Sequence, residues 1–377
     1  MLTAYLPLWL ADRGVSADAI GAVLGLAALS RVVTVPGWGW VADRLGRLRL
    51  MLFAAAAVSA VCAAALPAAP GLTSIAVLVI VGGTASTAMT PLADALTLTL
   101  AAARRLDYGR TRAWGSVSYM LTTAGAGALL GYAGSVAVPW LIAGGYGAAA
   151  LLARFLPDAA DRRSLAWFTR LLAQNRATRD SILREGALMS GPGPLPRRFR
   201  LVLLASALIQ GSHAAYYGFA SLHWRQAGIP DGGIGLLIAE GIVAEIALFI
   251  WGRRWVEAAG PARLTAVAAC GCLVRWTVTG LTTALPVLIA VQFLHAATFA
   301  CQHLSSMLVL RALPPGRAGM AQSLLASLGY AAPTGLLIWV SGRLYGQAGG
   351  LVFLLMALVG GSGLLLVPGL AGAGRRR

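Results

Sequence analysis

Gly39-Trp-Val-Ala-Asp43-Arg44-Leu-Gly46-Arg47-Leu-Arg49 separates two long apolar stretches, 17–41 and 48–67. Either stretch is long enough to cross a hydrocarbon core, which takes roughly 20 apolar residues as a helix. Between them sits a tight turn with one acid and four charged or glycine positions, Arg44, Gly46, Arg47 and Arg49, closing it. A turn of this kind can make charge-assisted contacts across one face of a membrane protein. Contacts like these hold two parts together in one conformation and release them in another. The plain alternative is a loop kept in place by its positive charge alone.

The same alternation continues outward along the chain. Apolar stretches follow at 1–11, 72–100, 108–132, 136–156, 200–223, 231–252, 262–281, 286–311, 316–341 and 348–370. With the first two they make twelve spans, the first of them short. The hydrophobic fraction is 58% and the mean hydropathy +0.75, more than a water-exposed surface tolerates. All 30 basic residues are arginine, and they fall on alternate gaps. Gap 2–3 has Arg44, Arg47 and Arg49; gap 4–5 has Arg104, Arg105, Arg110 and Arg112. The long middle gap runs from Arg154 to Arg200, gap 8–9 has Arg253, Arg254 and Arg263, gap 10–11 has Arg311 and Arg317, and the tail ends in three more. The other gaps hold only Arg13, Arg225 and Arg343. This distribution predicts that both termini and the middle gap face the cytoplasm. The net charge of +17 is therefore a topology signal, and no compact basic face for nucleic acid is expected.

Six spans, a polar linker and six more divide the chain into 1–156, 157–199 and 200–377. The linker carries an amphipathic stretch from Ser164 and a breaker-rich one from Gly191 to Pro196. Cys62, Cys270, Cys272 and Cys301 all lie within spans, without metal-ligand spacing, and read as packing residues. Met1 to Ala11 is too short to cross a membrane, so the first helix is expected to be partial, or the reading frame to begin upstream.

The loop at 39–49 resembles the signature loop of the major facilitator superfamily, G-x-x-x-D-R-x-G-R-x-R, in its residues and in its place after the second span. Leu106–Ser116, Gln210–Phe219, Arg275-Trp276 and Thr282–His295 resemble the phenylpropionate permease group of that superfamily. The resemblance covers almost the whole chain and departs from the group at the short first helix and in the linker near 177–196. It implies an all-α membrane protein of major facilitator fold with two six-helix halves. It also implies a conformational role for Gly39, Asp43, Arg44, Gly46 and Arg47.

Ionisable residues inside spans are costly in hydrocarbon, and each is a functional candidate. They are Arg31, Asp94, His213, Glu240, Glu245, Arg275, His295 and His303. Helical spacing puts Gln292, His295, Phe299, Gln302, His303 and Ser306 on one side of span 10. Ser206, Gln210, His213 and Tyr217 share a side of span 7, and Arg112, Ser116, Tyr119 and Thr123 a side of span 5. These three polar stripes are expected to share a wet cavity. Glu245, Arg275, His295 and His303 resemble the proton-coupling set of lactose-permease-type symporters. A carboxyl that is desolvated in one state and meets an arginine in another can bind and release a proton, and Glu245 is the expected carrier. Glu240 has no counterpart in that set and reads as a surface or structural residue. Arg31 and Asp94 read either as substrate contacts or as an ion pair between spans 2 and 4.

The expected activity is proton-coupled import of a small organic anion, such as an aromatic carboxylate. Arg31, Asp94, Trp114, Gln210, His213, Tyr216, Tyr217 and Gln302 are the binding candidates, since rings stack on aromatics and carboxylates pair with arginine. Nucleoside or sugar symport, or a transport-inactive membrane sensor, remain alternatives. No nucleophile elbow, zinc-protease motif or phosphate-binding loop is present, so an enzyme or ATP-driven pump is not expected. Neither a cofactor nor a metal is expected. The partners are solute, protons and the bilayer, and the protein is expected to be a monomer in a bacterial inner membrane.

Overall fold

The computed structural model describes residues 2–104, 108–156, 195–313 and 315–371. The linker stretches at 164–172 and 191–194 and the arginine tail lie outside the described residues. The helices of the first group are α1 (Leu2–Asp12), α2 (Ala17–Leu45), α3 (Leu48–Ala65), α4 (Leu72–Arg104), α5 (Tyr108–Ala133) and α6 (Val138–Ala153). Those of the second group are α7 (Arg197–Gly211), α8 (Ala214–Gln226), α9 (Asp231–Trp251), α10 (Arg253–Leu281), α11 (Leu285–Gln292), α12 (Gln302–Arg311), α13 (Pro315–Leu324), α14 (Ala332–Ala348), α15 (Val352–Gly361) and α16 (Val367–Ala371).

Eight stretches among the described residues are long and apolar enough to cross a membrane, and the last, Met320–Ala371, holds two crossings joined at Gly349. Of the remaining expected spans, α5 is a continuous 26-residue helix and α1 has only 11 residues. Span 7 is broken into α7 and α8 at Ser212 and His213. Span 10 is α11 and α12 joined by a π-turn at Ala296–Cys301, and span 11 is α13 and α14 joined by another at Leu325–Ala331. Pro333 accounts for the second, because its ring clashes with the carbonyl four residues back and it has no N–H to donate. Span 9 starts earlier than expected, at Arg253, with a short segment that turns at Gly260 (φ 67°) and Pro261 before the span proper.

Local chemistry sets these boundaries. The Ser16 hydroxyl accepts from the Ala19 N–H and starts α2. Gly46 ends it in the left-handed region (φ 61°), with its N–H on the Ala42 carbonyl. Glycine adopts that conformation at the least cost, having no Cβ to crowd the next carbonyl.

Packing differs between the two ends of the bundle. One large apolar cluster joins both helix groups at the end carrying Asp12, Asp18 and Asp231 and continues, within the second group alone, to Val256 and Leu264. At the arginine-rich end there are two separate clusters. Ala42, Leu52, Leu92 and Ala153 belong to the first group, and Phe199, Val202, Val309 and Leu325 to the second. The groups thus meet at one end and part toward the other. Along α2, Ile20, Val23, Leu24 and Ala27 are buried, whereas Val33 and Trp40 are exposed.

Glycines allow the closed end to close. A Cβ on Gly342 of α14 would stand 2.7 Å from the Gly21 Cα and from the Ala17 carbonyl of α2, and one on Gly25 would stand 2.7 Å from the Gly335 carbonyl. Between α5 and α9, a Cβ on Gly127 would stand 2.6 Å from the Asp231 carbonyl. The Tyr5 hydroxyl of α1 lies at the same crossing and donates to the Thr123 carbonyl at 2.9 Å. Small residues at such crossings let helix backbones touch where lipid offers no hydrophobic drive for association.

Candidate functional site

Three helices of the second group build a buried polar chain. Arg275 on α10 is fully buried, with NH1 on His295 Nδ1 (3.0 Å) and Thr298 Oγ1 (3.0 Å) and NH2 on Gln292 Oε1 (2.8 Å). Its guanidinium lies 4.8 Å from the Tyr216 ring centre and 4.5 Å from that of Trp276. His295 Nε2 is 3.2 Å from Glu245 Oε2. The donors fix the tautomer. A guanidinium only donates, so His295 Nδ1 accepts and Nε2 carries the hydrogen, which it donates to the Glu245 carboxylate. His213 is set in the same way. Its Nδ1 faces the Ile209 carbonyl and must donate, so Nε2 accepts from the Thr298 hydroxyl.

The polar stripes of spans 7 and 10 do not line a shared cavity: Gln302 and Ser306 meet span 7, whereas Gln292 and His295 turn to Arg275 and His303 to Tyr330. Ser206 meets Ser306 at 2.9 Å, Gln302 Nε2 donates to Ser206 at 3.0 Å, and Gln210 Nε2 donates to the Phe299 carbonyl at 3.1 Å. Gln210, His213 and Gln302 are therefore engaged in holding helices together. Periodicity shows which residues share a face but not what that face meets.

Arg275 is wholly enclosed by its partners. His303 lies two turns further on along span 10, 3.3 Å from the Tyr330 hydroxyl of span 11. Tyr217 is half-buried and stacks on His213 at 5.9 Å, while Tyr216 is buried under Arg275. Glu240 is half-buried on α9.

In the first group, Arg31 and Asp94 are both half-buried, and no ion pair joins them among the described residues. Asp94 has another partner, whereas Arg31 Nε is buried without one. Trp114 is 70% exposed on α5, where the helices part. In the loop, Gly39 lies in open space within α2, and Arg44 sits 5.1 Å from the Trp40 ring centre. Arg47 precedes the first turn of α3, and Arg49 donates to the Leu156 carbonyl, three residues beyond α6 (3.4 Å). The contacts of the Asp43 and Arg112 side chains lie outside the described residues. Cys62, Cys272 and Cys301 are buried as expected of packing residues, but Cys270 is exposed.

Sequence reasoning missed the ion pairs of the closed end. Arg225 binds Asp12 of the first group and Asp231 of the second, each at 2.8 Å, and Arg343 reaches Asp18 at 3.5 Å. The available signal was that arginines are scarce on that side, so each one present calls for a partner. Arg225→Gln is expected to weaken closure by a few-fold, as exposed pairs contribute about 0.2–1 kcal/mol each. Faster alkylation of a cysteine at Ala126, buried in the closed end, would report it, in a protein lacking Cys270. Arg275→Ala carries a larger cost, roughly 3–5 kcal/mol, because Gln292, Thr298 and His295 lose their shared donor at full burial. A thermal melt of the purified variant measures it.

Comparison with known proteins agrees with this architecture. Residues 1–356 match the MFS_1 like family. The chain is 29% identical over 369 residues, 96% of its own length and 91% of the relative's, to a probable 3-phenylpropionic acid transporter of Escherichia coli. The solved nucleoside transporter NupG superposes with a TM-score of 0.74 at 13% identity, covering 100% of this chain and 95% of that one. The inward-open xylose transporter XylE from E. coli gives 0.70 at 15% identity, covering 99% and 95%. The chain thus belongs to the MFS_1 like family of the major facilitator superfamily and is a multi-pass membrane transporter, not an enzyme.

Proposed function

We propose that this transporter is a proton-coupled symporter importing a small organic anion, an aromatic carboxylate such as 3-phenylpropionate, across a bacterial inner membrane. The observation that carries the reading is the buried chain from Glu245 through His295 to Arg275. With Arg275 pointing at Nδ1, His295 has no site for a second proton, so the carboxyl of Glu245 is the group that loads and unloads one. Arg31 suits the substrate carboxylate, being half-buried where the helices part, with a partnerless Nε. Trp114 and Tyr217 supply ring faces, and Asp94 is assigned to the substrate with them. The name of the E. coli relative points the same way. Nucleoside or sugar transport is less well served, since the amides of Gln210 and Gln302 already donate within the protein.

In this reading the halves are 1–156 and 200–377, the linker 157–199 and both termini are cytoplasmic, and the monomer is the working unit. The structure is then open to the cytoplasm, and the signature loop with Asp43 acts when that end closes. Proteoliposomes with an imposed pH gradient test the function. Labelled 3-phenylpropionate should accumulate, and a protonophore should abolish the accumulation. Uptake indifferent to the gradient would reject coupling, and absence of any uptake would favour a sensor. Arg31→Gln should raise the KM for the carboxylate at least about tenfold, the scale of one charge-assisted hydrogen-bond pair. An equal effect on the neutral amide analogue would remove Arg31 from the anion site.

A further inference from the structure

A groove of about 430 Å³ opens at the arginine-rich end of the second group, between the last turns of α9 and α12 and the start of α10. Phe249, Leu304 and Leu308 form its walls, and Arg253, Arg311 and Glu257 its polar edge. On α12, Leu304, Leu308 and Arg311 recur at helical spacing on the side opposite Gln302 and Ser306. None of Glu245, His295 and Arg275 is among the residues that line the groove. Trp251 and Trp255 stand exposed beside it, as indole rings do at the level of lipid headgroups. Glu257 is already paired with Arg253 at 3.0 Å, and Arg311 has no carboxylate partner among the described residues. With Arg254 adjacent, positive charge is in excess at the mouth, above walls that only hydrocarbon would cover well.

The geometry points to a bound anionic phospholipid, its phosphate against Arg311 and Arg253 and one acyl chain along Phe249, Leu304 and Leu308. Basic pockets between spans on the arginine-rich side of a membrane protein recruit such headgroups. A soluble phosphate would leave the apolar walls facing water. A second copy of the chain packed symmetrically would bring arginine against arginine.

Native mass spectrometry of the purified, delipidated full chain titrated with phosphatidylglycerol reads this directly. One phosphatidylglycerol should be retained that phosphatidylcholine does not replace. The Arg253→Ala/Arg311→Ala variant should bind it roughly thirty-fold more weakly, the effect of two interfacial charges. Arg154→Ala, which removes an exposed arginine at the same end but outside the groove, should leave binding unchanged. Leu308→Trp keeps every charge while filling the groove, and should lose the same lipid; it decides the matter if the double variant does not fold. The inference is overturned if Arg154→Ala costs as much as the double variant, if Leu308→Trp retains the lipid, or if glycerol phosphate alone displaces it.

Discussion

Replacing Glu245 by glutamine is expected to abolish gradient-driven accumulation of substrate while leaving substrate exchange across the membrane intact. Glutamine has the size of glutamate and its side-chain oxygen still accepts from His295 Nε2, 3.2 Å away in the wild type. What it cannot do is carry a proton. Arg275, Gln292 and Thr298 keep their hydrogen bonds, so folding and substrate affinity should change little. Net uptake needs the empty carrier to return with its proton released, and a neutral amide removes that step. Exchange returns loaded and does not need it. Counterflow and pH-driven uptake measured on the same proteoliposomes separate the two. Concentrative uptake by Glu245→Gln at the wild-type level would eliminate Glu245 as the proton carrier. Loss of both activities with normal binding would instead assign it to the conformational change itself.

The second large effect concerns closure. In Gly342→Val the new Cβ would stand 2.7 Å from the Gly21 Cα and from the Ala17 carbonyl, both backbone atoms of α2 that cannot turn aside. The helices α2 and α14 must then separate, and the closed end with them. The variant should be held in the opposite state of the alternating cycle. Transport should fall by roughly two orders of magnitude, because restoring the closed end would cost several kcal/mol of overlap. Gly346→Val, one turn further along α14 with open space around its Cα, is the control and should transport nearly normally. Spin labels at Arg13 and Ala227, exposed at the closed end on the two groups, should move apart in Gly342→Val only. Wild-type distances and transport in that variant would show that the crossing yields, and the glycines would lose their part in closure.

Much of this was legible in the residues. Apolar length and the alternation of arginine marked the crossings, because hydrocarbon admits backbone only as self-satisfied helix. The cost of charge in that medium marked eight ionisable residues, Glu245, Arg275 and His295 among them. The short segment before Gly260 was less visible, since its polarity matches that of a loop. The breaks within spans 7 and 10 carry no proline, and the polar residues around them read equally well as one face of an unbroken helix, so the sequence pattern did not mark them.

Sequence by itself thus determined the class of protein, the number of crossings and the small set of residues worth asking about. All of these follow from the local free energy of a residue in lipid. Tertiary structure alone decided which polar faces meet. It turned Gln302 and Ser306 of span 10 to span 7, left Arg31 apart from Asp94, and set Arg225 between Asp12 and Asp231. Those choices depend on the angle and depth at which distant helices cross. Backbone contacts between glycines such as Gly21 and Gly342 define that geometry, and no window along the chain contains both.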